Sequence, residues 1–249
     1  NGTAEIEADR VRYTPRAGFV GADAFTYAVR DPSGETDEAV VRVAVTDRSG
    51  IEPGTCEVGT ASSVLDVNDV RATVFNTGAL FGQSGAYSQY VVPQAGGVAP
   101  IFASGVWVGG TVGGDLRMSA ATYGSYEFWP GPLTPGGALP NASDCSAYDR
   151  IWSVSRAQVE AYEAGGVPTA DLADWPAALG APVADGDGDP TNYDLAAGDR
   201  PVVLGDQVSF WVMNDVGNLH DSSEVPPAGL EVRVVAFAYA GEVGPLDQA

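Results

Sequence analysis

The residues of this chain best suited to chemistry lie in one acidic stretch, 185–194, which reads Asp-Gly-Asp-Gly-Asp-Pro-Thr-Asn-Tyr-Asp. Its closely spaced carboxylates repel one another unless a cation lies between them. Hard cations such as Ca²⁺ take oxygen ligands from alternate residues of a tight loop. The stretch therefore predicts a structural calcium site, and the alternative is a solvated acidic turn. The predicted ligands are Asp185, Asp187, Asp189, Asp194 and Asp199, of which Asp194 or Asp199 completes the set.

Other kinds of reactive site are weakly supported by the residue types. Zinc prefers His and Cys ligands, and the chain has one His and two distant Cys. A Ser-His-Asp triad could be drawn from Asp215 and His220, but no Gly-x-Ser-x-Gly motif is present. Acidic residues are so abundant that no carboxylate pair for glycoside hydrolysis stands out. We therefore predict a structural role for His220 and a chain that is not an enzyme.

The chain is strongly acidic, with 12 basic and 33 acidic residues and a formal net charge of −21. All of its basic residues are Arg. Such a charge repels phosphates and anionic membranes, so nucleic acid is excluded as a partner. No apolar run approaches the roughly 20 residues of a membrane span, so no membrane insertion is expected. The acidity suits either salt adaptation or a solvated secreted surface.

The two cysteines, Cys56 and Cys145, are too few for a disulfide scaffold. They are candidates for one bridge if the protein is exported.

Residues 1–48 show short strand patterns separated by turn signals, which is typical of an all-β sandwich. The sequence Asp31-Pro-Ser-Gly34 predicts a β-turn. The predicted strands are Ala4–Ala8, Arg10–Thr14, Ala24–Arg30 and Glu38–Asp47.

The order of motifs from Tyr13 to Gly34 resembles the repeated cadherin-like or immunoglobulin-like domains of large bacterial surface proteins. The residues that carry the resemblance are Tyr13-Thr-Pro15, then Gly18-Phe19-Val-Gly21-Ala-Asp23-Ala-Phe25-Thr-Tyr27, then Asp31-Pro-Ser-Gly34. The match covers the second half of such a domain, since a seven-stranded sandwich needs roughly 100 residues. We therefore expect a piece of a longer protein.

A linker is predicted at residues 49–55 by its composition, and a larger β-sandwich-type module at 56–249, expected to be truncated. Ser155-Arg-Ala-Gln158 is a capping box that begins one short accessory helix, and Gly165-Gly166 ends it. A second helical turn is predicted within Asp171–Leu179. The predicted strands are Asp69–Asn76, Tyr87–Val92, Ile101–Gly109, Leu116–Tyr123, Val208–Met213 and Leu230–Ala240.

The loop Phe128-Trp129-Pro130-Gly131-Pro132 cannot be helical. If Trp129 is exposed, its ring could stack on sugars. If it is buried, it fills the core beneath a long loop, and we favour this second interpretation. Arg150, which follows Asp144-Cys145 closely, is expected to bind a carboxylate at a structural corner.

A second resemblance covers about residues 64–240. The ordered blocks are Val67-Asn-Asp-Val-Arg-Ala72, Ile101–Gly110, Phe128–Leu133, Asp144–Trp152 and Gly205–His220. They are similar to a repeated module of very large Bacteroidetes-type surface proteins that the type IX pathway exports. In that family the acidic loop is EF-hand-like, so the resemblance also implies calcium. This chain departs from the pattern with Pro190 in place of the family's Gly and with Ala196, which is not acidic, at the twelfth position.

These features predict a non-enzymatic, calcium-stabilised segment of a large extracellular adhesion protein at the bacterial cell surface. Its expected partners are other domains of the same long chain or neighbouring copies. One alternative is a subunit of a self-assembling filament or sheath that neighbours complete with added strands. A further alternative is a carbohydrate-binding accessory module that recognises surface glycans through Trp129.

Overall fold

The fold is all-β, as predicted, and three short α-helices accompany the strands in the described residues, where the sequence predicted one helix and a further helical turn. None of the described helices is long and apolar enough to cross a membrane. The computed structural model describes residues 1–7, 10–19, 21–30, 33–45, 54–83, 88–135, 138–189 and 192–241. Some predictions fall outside these ranges, namely most of the linker (49–53), the start of the Asp31–Gly34 turn, Tyr87 and the strand ends at Ala8, Thr46 and Asp47.

The first part of the chain forms two antiparallel hairpins. Their strands are β1 (Gly2–Glu7), β2 (Arg10–Pro15), β3 (Gly21–Arg30) and β4 (Thr36–Val45). The ring of Tyr13 stacks on that of Phe25 with centroids 6.0 Å apart, and its hydroxyl donates to the Asp23 carboxylate at 2.6 Å. The hairpins therefore pack on each other, although Ile6 stays 83% exposed and Val29 56% exposed.

A six-stranded antiparallel sheet opens the second part. Its central strand, Arg71–Phe75, lies within the predicted Asp69–Asn76. The strands are β5 (Ser62–Leu65), β6 (Arg71–Phe75), β7 (Ala79–Leu80), β8 (Tyr90–Val92), β9 (Val98–Ile101) and β10 (Ser104–Gly105). The strand order is β10-β7-β6-β8-β9. Strands β7 and β8 pair with opposite ends of one side of β6, and β5 pairs with its other side.

The single strand predicted at Ile101–Gly109 is wrong, because the chain changes sheets within it. Ser104 and Gly105 pair with β7, whereas β11 (Trp107–Val112) pairs with β12 (Asp115–Ala120) in a separate hairpin. A Cβ at Gly105 would lie 2.5 Å from the Ala121 carbonyl oxygen. Glycine therefore permits the close backbone approach at which the partner changes.

The second large sheet is built around one long strand, β17. It pairs with β13 and β14 on one side and along its whole length with β18 on the other. The remaining elements are β13 (Trp129–Pro130), α1 (Ala142–Ser146), β14 (Trp152–Ser155), α2 (Arg156–Glu163), α3 (Ala170–Ala173), a 3-10 turn (Ala177–Leu179), β15 (Val183–Ala184), β16 (Arg200–Pro201), β17 (Gln207–Asn214) and β18 (Glu231–Ala238).

Strand β17 is buried on both faces, which explains its nearly continuous apolar sequence. Trp211 and Met213 pack against Val74 of the first sheet. Val208 and Phe210, on the opposite face, pack against Leu172 of α3. The module is thus a two-sheet sandwich with a helical layer on its outer side.

The predicted capping box begins α2, because the Ser155 side chain accepts from the Gln158 N–H and the Gln158 side chain accepts from the Ser155 N–H. Arg150 stands at a structural corner beside this layer. It binds two carboxylates, those of Asp171 at 2.8 Å and Asp174 at 2.6 Å, whereas the sequence led us to expect one.

Candidate metal centre and the buried polar network

The acidic stretch lies in a loop whose ends are held together by the short β15–β16 ladder. Ala184 pairs with Arg200 at the base of this loop. A Cβ at Gly186 would lie 2.3 Å from the backbone carbon of Gly198. The two arms of the loop can therefore approach only because Gly186 has no side chain.

Asp199 is the buried member of the loop, with 1% of its surface exposed. Its carboxylate accepts from the Asp194 N–H at 2.7 Å and from the Gly186 N–H at 2.9 Å. These hydrogen bonds, led by the one from Asp194, lower the pKa of Asp199 below its usual value. Asp199 therefore ties both arms of the loop together as a carboxylate.

Asp185 and Asp187 approach Asp199 from the exposed side. One carboxylate oxygen of each of the three lies within 4.8 Å of the others. The Asp185 carboxylate accepts from the N–H groups of Asp187 and Gly188 at 3.1 and 2.6 Å. The Asp187 carboxylate accepts from the Asp189 N–H at 2.8 Å, so local turns hold both exposed carboxylates in position.

The structure does not bring all five predicted ligands together. Asp189 and Asp194 are not among the three residues whose oxygens converge. The Asp194 carboxylate instead accepts from the N–H groups of Ala196 and Ala197 and so stabilises its own turn. Of the two residues proposed to complete the set, Asp199 is the one that lies at the cluster. Pro190 lies outside the described residues.

The donor set fits a hard divalent cation. Three carboxylates offer only oxygen ligands, which Ca²⁺ prefers, and each oxygen of Asp199 keeps a further lone pair beyond the hydrogen bond it accepts. One cation already stands near the base of the loop, because the Arg200 guanidinium donates to the Leu195 and Asp199 carbonyls at 2.9 and 2.6 Å. Because the guanidinium is directed at these carbonyls, it does not neutralise the repulsion between the carboxylates of Asp185 and Asp187.

Trp129 is buried, with 2% of its surface exposed, which contradicts its assignment as an exposed sugar platform. It packs beside Cys56 and Cys145, which the structure joins in a disulfide. Its ring also lies against that of His220, with centroids 5.7 Å apart. A core role for Trp129 agrees with the interpretation favoured from the sequence.

A buried polar network surrounds His220, and little in the sequence pattern predicts it. His220 Nδ1 lies 2.9 Å from the Met118 carbonyl and Nε2 lies 2.7 Å from the Asp215 carbonyl. Carbonyl oxygens only accept, so a ring nitrogen that carries a proton can donate to the carbonyl beside it. The Glu127 carboxylate also lies 3.5 Å from Nδ1. These contacts give His220 a structural place.

Two buried carboxylates of the network hold the long segment between β17 and β18. Glu127 accepts from the N–H groups of Ser222 and Ser223 at 3.0 and 2.6 Å. Asp215 accepts from the Ser119 hydroxyl and from the N–H groups of Ala228 and Leu230. Glu127 and Asp215 are 88 positions apart in the sequence, so no local pattern predicts that they lie together.

Asp149 provides a similar anchor at the start of the module. It accepts from the Thr60 N–H and hydroxyl, from the Ala61 N–H and from the Asn76 amide. Burial raises the pKa of Asp149, but these hydrogen bonds outweigh it and lower the pKa below its usual value.

The lowered pKa of Asp149 and of Asp199 predicts acid sensitivity. A carboxylate with a depressed pKa in the folded state contributes stability that is complete above its unfolded value of about 3.9 and is lost as the pH falls through the folded value. Urea unfolding between about pH 6 and pH 3 should therefore show falling stability. In Asp149→Asn the slope of stability against pH should shrink by up to about one proton; an unchanged slope would show that Asp149 does not titrate differently on folding.

The two N-terminal hairpins agree with a comparison to known families. Residues 1–44 match the family model of the bacterial Ig domain. Bacterial Ig domains are typical of extracellular surface proteins, so this part supports an extracellular module. No curated protein and no solved structure matches the chain.

Proposed function

We propose that this chain is a non-enzymatic, calcium-stabilised segment of a large adhesion protein on the bacterial cell surface. The convergence of Asp185, Asp187 and Asp199 within 4.8 Å supports the calcium site most directly. The bacterial Ig match at residues 1–44 supports the extracellular location. As part of this proposal, about residues 64–240 form a module of the kind that the type IX pathway exports. Other domains of the same long chain or neighbouring copies are the proposed partners.

Calcium at this loop would act on the helical layer as well as on the loop itself. The Tyr193 hydroxyl donates to the Leu172 carbonyl of α3 at 2.7 Å. Arg200 forms an ion pair with Glu163 at the end of α2. A cation between the carboxylates would remove their repulsion and so stabilise the loop against both helices.

Calcium binding is tested by calorimetric titration and thermal unfolding. At a free Ca²⁺ concentration about 100 times its Kd, the folded state gains about 2.7 kcal/mol, so the Tm should rise by roughly 5 to 10 °C. Asp187→Asn should abolish both the binding heat and the shift. Asp66→Asn, which removes the same charge from an exposed site elsewhere, should keep both. Equal responses of the two variants to Ca²⁺ and EDTA would reject the site.

A second candidate function, glycan binding, is favoured by Trp107 rather than Trp129. Trp107 is 70% exposed, and its indole N–H donates to the Ala121 carbonyl at 2.7 Å. This bond fixes the ring while it faces solvent. Phe102 and Tyr123, also exposed, pack together with centroids 4.8 Å apart, and Tyr123 follows Ala121 by two residues.

The neighbours of Trp107 along its strand leave its ring uncovered. Within β11, the position two residues along lies on the same face as Trp107, and it is Gly109, which has no side chain to cover the ring. A Cβ at Gly109 would make only ordinary contacts, at 3.5 Å or more, so the fold does not require glycine there. An open aromatic face suits the C–H face of a sugar ring, and the net charge of −21 favours a neutral glycan.

Glycan binding is tested on an array of neutral polysaccharides. Trp107→Ala should lose at least about tenfold in affinity, equivalent to about 1.4 kcal/mol. Gly109→Val should weaken binding by covering the ring. Tyr239→Ala, which removes an aromatic residue that is 62% exposed elsewhere, should bind normally. Equal binding by all three variants would reject Trp107 as the platform.

A further inference from the structure

Strand β18 has one edge that no strand pairs with in the part of the chain that the structure describes. The Leu230 carbonyl accepts from the Asp215 N–H, and the Ala238 carbonyl accepts from the Asp206 N–H. In an antiparallel strand, alternate residues direct both backbone groups to the same neighbour. Even-numbered residues therefore pair with β17, and Arg233, Val235 and Phe237 direct their N–H and C=O groups outward.

An apolar cleft of about 920 Å³ follows this edge. Six consecutive residues, 234–239, line it. Side chains alternate between the faces of a strand, so consecutive lining residues show that the cleft runs along the backbone edge as well as beside one face. Its opposite wall is the first sheet, represented by Leu65, Ala72 and Tyr90.

The part of the edge that lines the cleft, 234–239, lacks the features that normally prevent strand pairing, whereas the charged Glu231 and Arg233 lie at the other end of β18. Protected edges carry charges or proline, or are very short. Residues 234–239 read Val-Val-Ala-Phe-Ala-Tyr and contain neither a charge nor proline, in a chain with 33 acidic residues. By contrast, β9, which lies at the end of the strand order of the first sheet, contains Pro100.

The small side chains of Ala236 and Ala238 leave the cleft open on the inner face of β18. Both pack beside the core cluster of Leu65 and Ala72. A row of outward N–H and C=O groups is matched by an extended polypeptide, which offers both groups at the same spacing. An apolar small molecule would fill the cleft but would leave these backbone groups unpaired.

We propose that β18 accepts an added strand from another polypeptide, with apolar side chains at alternate positions that enter the cleft. The Asn68 side chain, which donates to the Tyr239 carbonyl at 2.9 Å, marks one end of the accepting edge. This mode of recognition combines backbone pairing with side-chain pockets. It is independent of the calcium loop, so either proposal can fail without the other.

The test uses fluorescence anisotropy of a short synthetic peptide in which valine alternates with threonine between terminal lysines. The full chain should bind it. A peptide with serine in place of valine should bind at least about tenfold more weakly, because nothing enters the cleft. A peptide with a central proline should lose binding similarly, because a backbone donor is removed. Equal binding of all three peptides would overturn the proposal.

Two matched pairs of variants locate the binding. Phe237→Pro removes an outward N–H, which an edge strand tolerates, whereas Phe237→Ala removes only the side chain; the proline variant should bind more weakly. Ala236→Phe fills the cleft, whereas Arg233→Phe adds the same side chain on the opposite face, and only the former should block binding. Circular dichroism checks that each variant folds. If one variant does not fold, the comparison of the three peptides on the unaltered chain still tests the proposal.

Other occupants would give different results. Peptide binding that appears only after removal of residues 242–249 would identify the chain's own C-terminal segment and overturn the proposal. Binding of decanoate, which Ala236→Phe abolishes, together with no peptide binding, would identify a small apolar ligand and overturn it too. Self-association seen by light scattering, lost in Phe237→Pro but kept in Phe237→Ala, would support it, with a second copy as the strand donor.

Discussion

Replacing both Cys56 and Cys145 with alanine should lower the free energy of unfolding by about 4 kcal/mol and the Tm by roughly 10 °C or more. The bridge joins residues 89 positions apart. A cross-link over a loop of that length restricts the unfolded chain strongly. It also connects the start of the module to α1, where Cys145 is buried beside Trp129. Urea unfolding followed by tryptophan fluorescence measures the loss.

The control for this prediction is reduction of the unaltered protein. A reducing agent should destabilise it by a similar amount and should leave the double alanine variant unchanged. The variant also loses a little packing, since both sulfurs are buried. A reduced protein as stable as the oxidised one would show that the bridge does not restrict the unfolded chain.

Short-range sequence patterns correctly predicted the elements that depend mainly on neighbouring residues. Helix α2 begins where Ser155 and Gln158 can cap each other, because a capping box is formed by residues three positions apart. The predicted Val208–Met213 corresponds to β17, because a strand buried on both faces is apolar throughout. The immunoglobulin-like character of residues 1–48 was predicted from a specific order of motifs and is supported by the family match at residues 1–44.

The incorrect predictions arose where a segment pairs with a partner that is distant in the sequence. The stretch Ile101–Gly109 has a continuous strand pattern, but its two halves join different sheets, and periodicity does not encode the partner. The same limit applies to the acidic loop. Asp199 joins Asp185 and Asp187 because the β15–β16 ladder brings the two ends of the loop together, whereas Asp189 and Asp194, nearer in sequence, turn to other contacts.

Replacing Glu127 with glutamine should cost about 1 to 3 kcal/mol, because it leaves a buried backbone donor without its acceptor. One carboxylate oxygen accepts from the Ala120 N–H at 2.7 Å, and the other accepts from the Ser222 and Ser223 N–H groups. An amide has one accepting oxygen and one donating nitrogen. In either orientation its NH₂ group would face a backbone N–H, so at least one donor would lose its partner inside the protein.

A surface carboxylate of the same module provides the matched control. Glu163 pairs with Arg200, and its side chain is 52% exposed, so Glu163→Gln should cost less than about 1 kcal/mol. Amide hydrogen exchange should separate the two variants further. Glu127→Gln should accelerate exchange between residues 215 and 230, because the N–H groups of Ser222 and Ser223 lose their acceptor, and Glu163→Gln should not. Equal losses of stability would show that the buried carboxylate contributes no more than a solvated one, and the long segment between β17 and β18 would then have to be held mainly by Asp215.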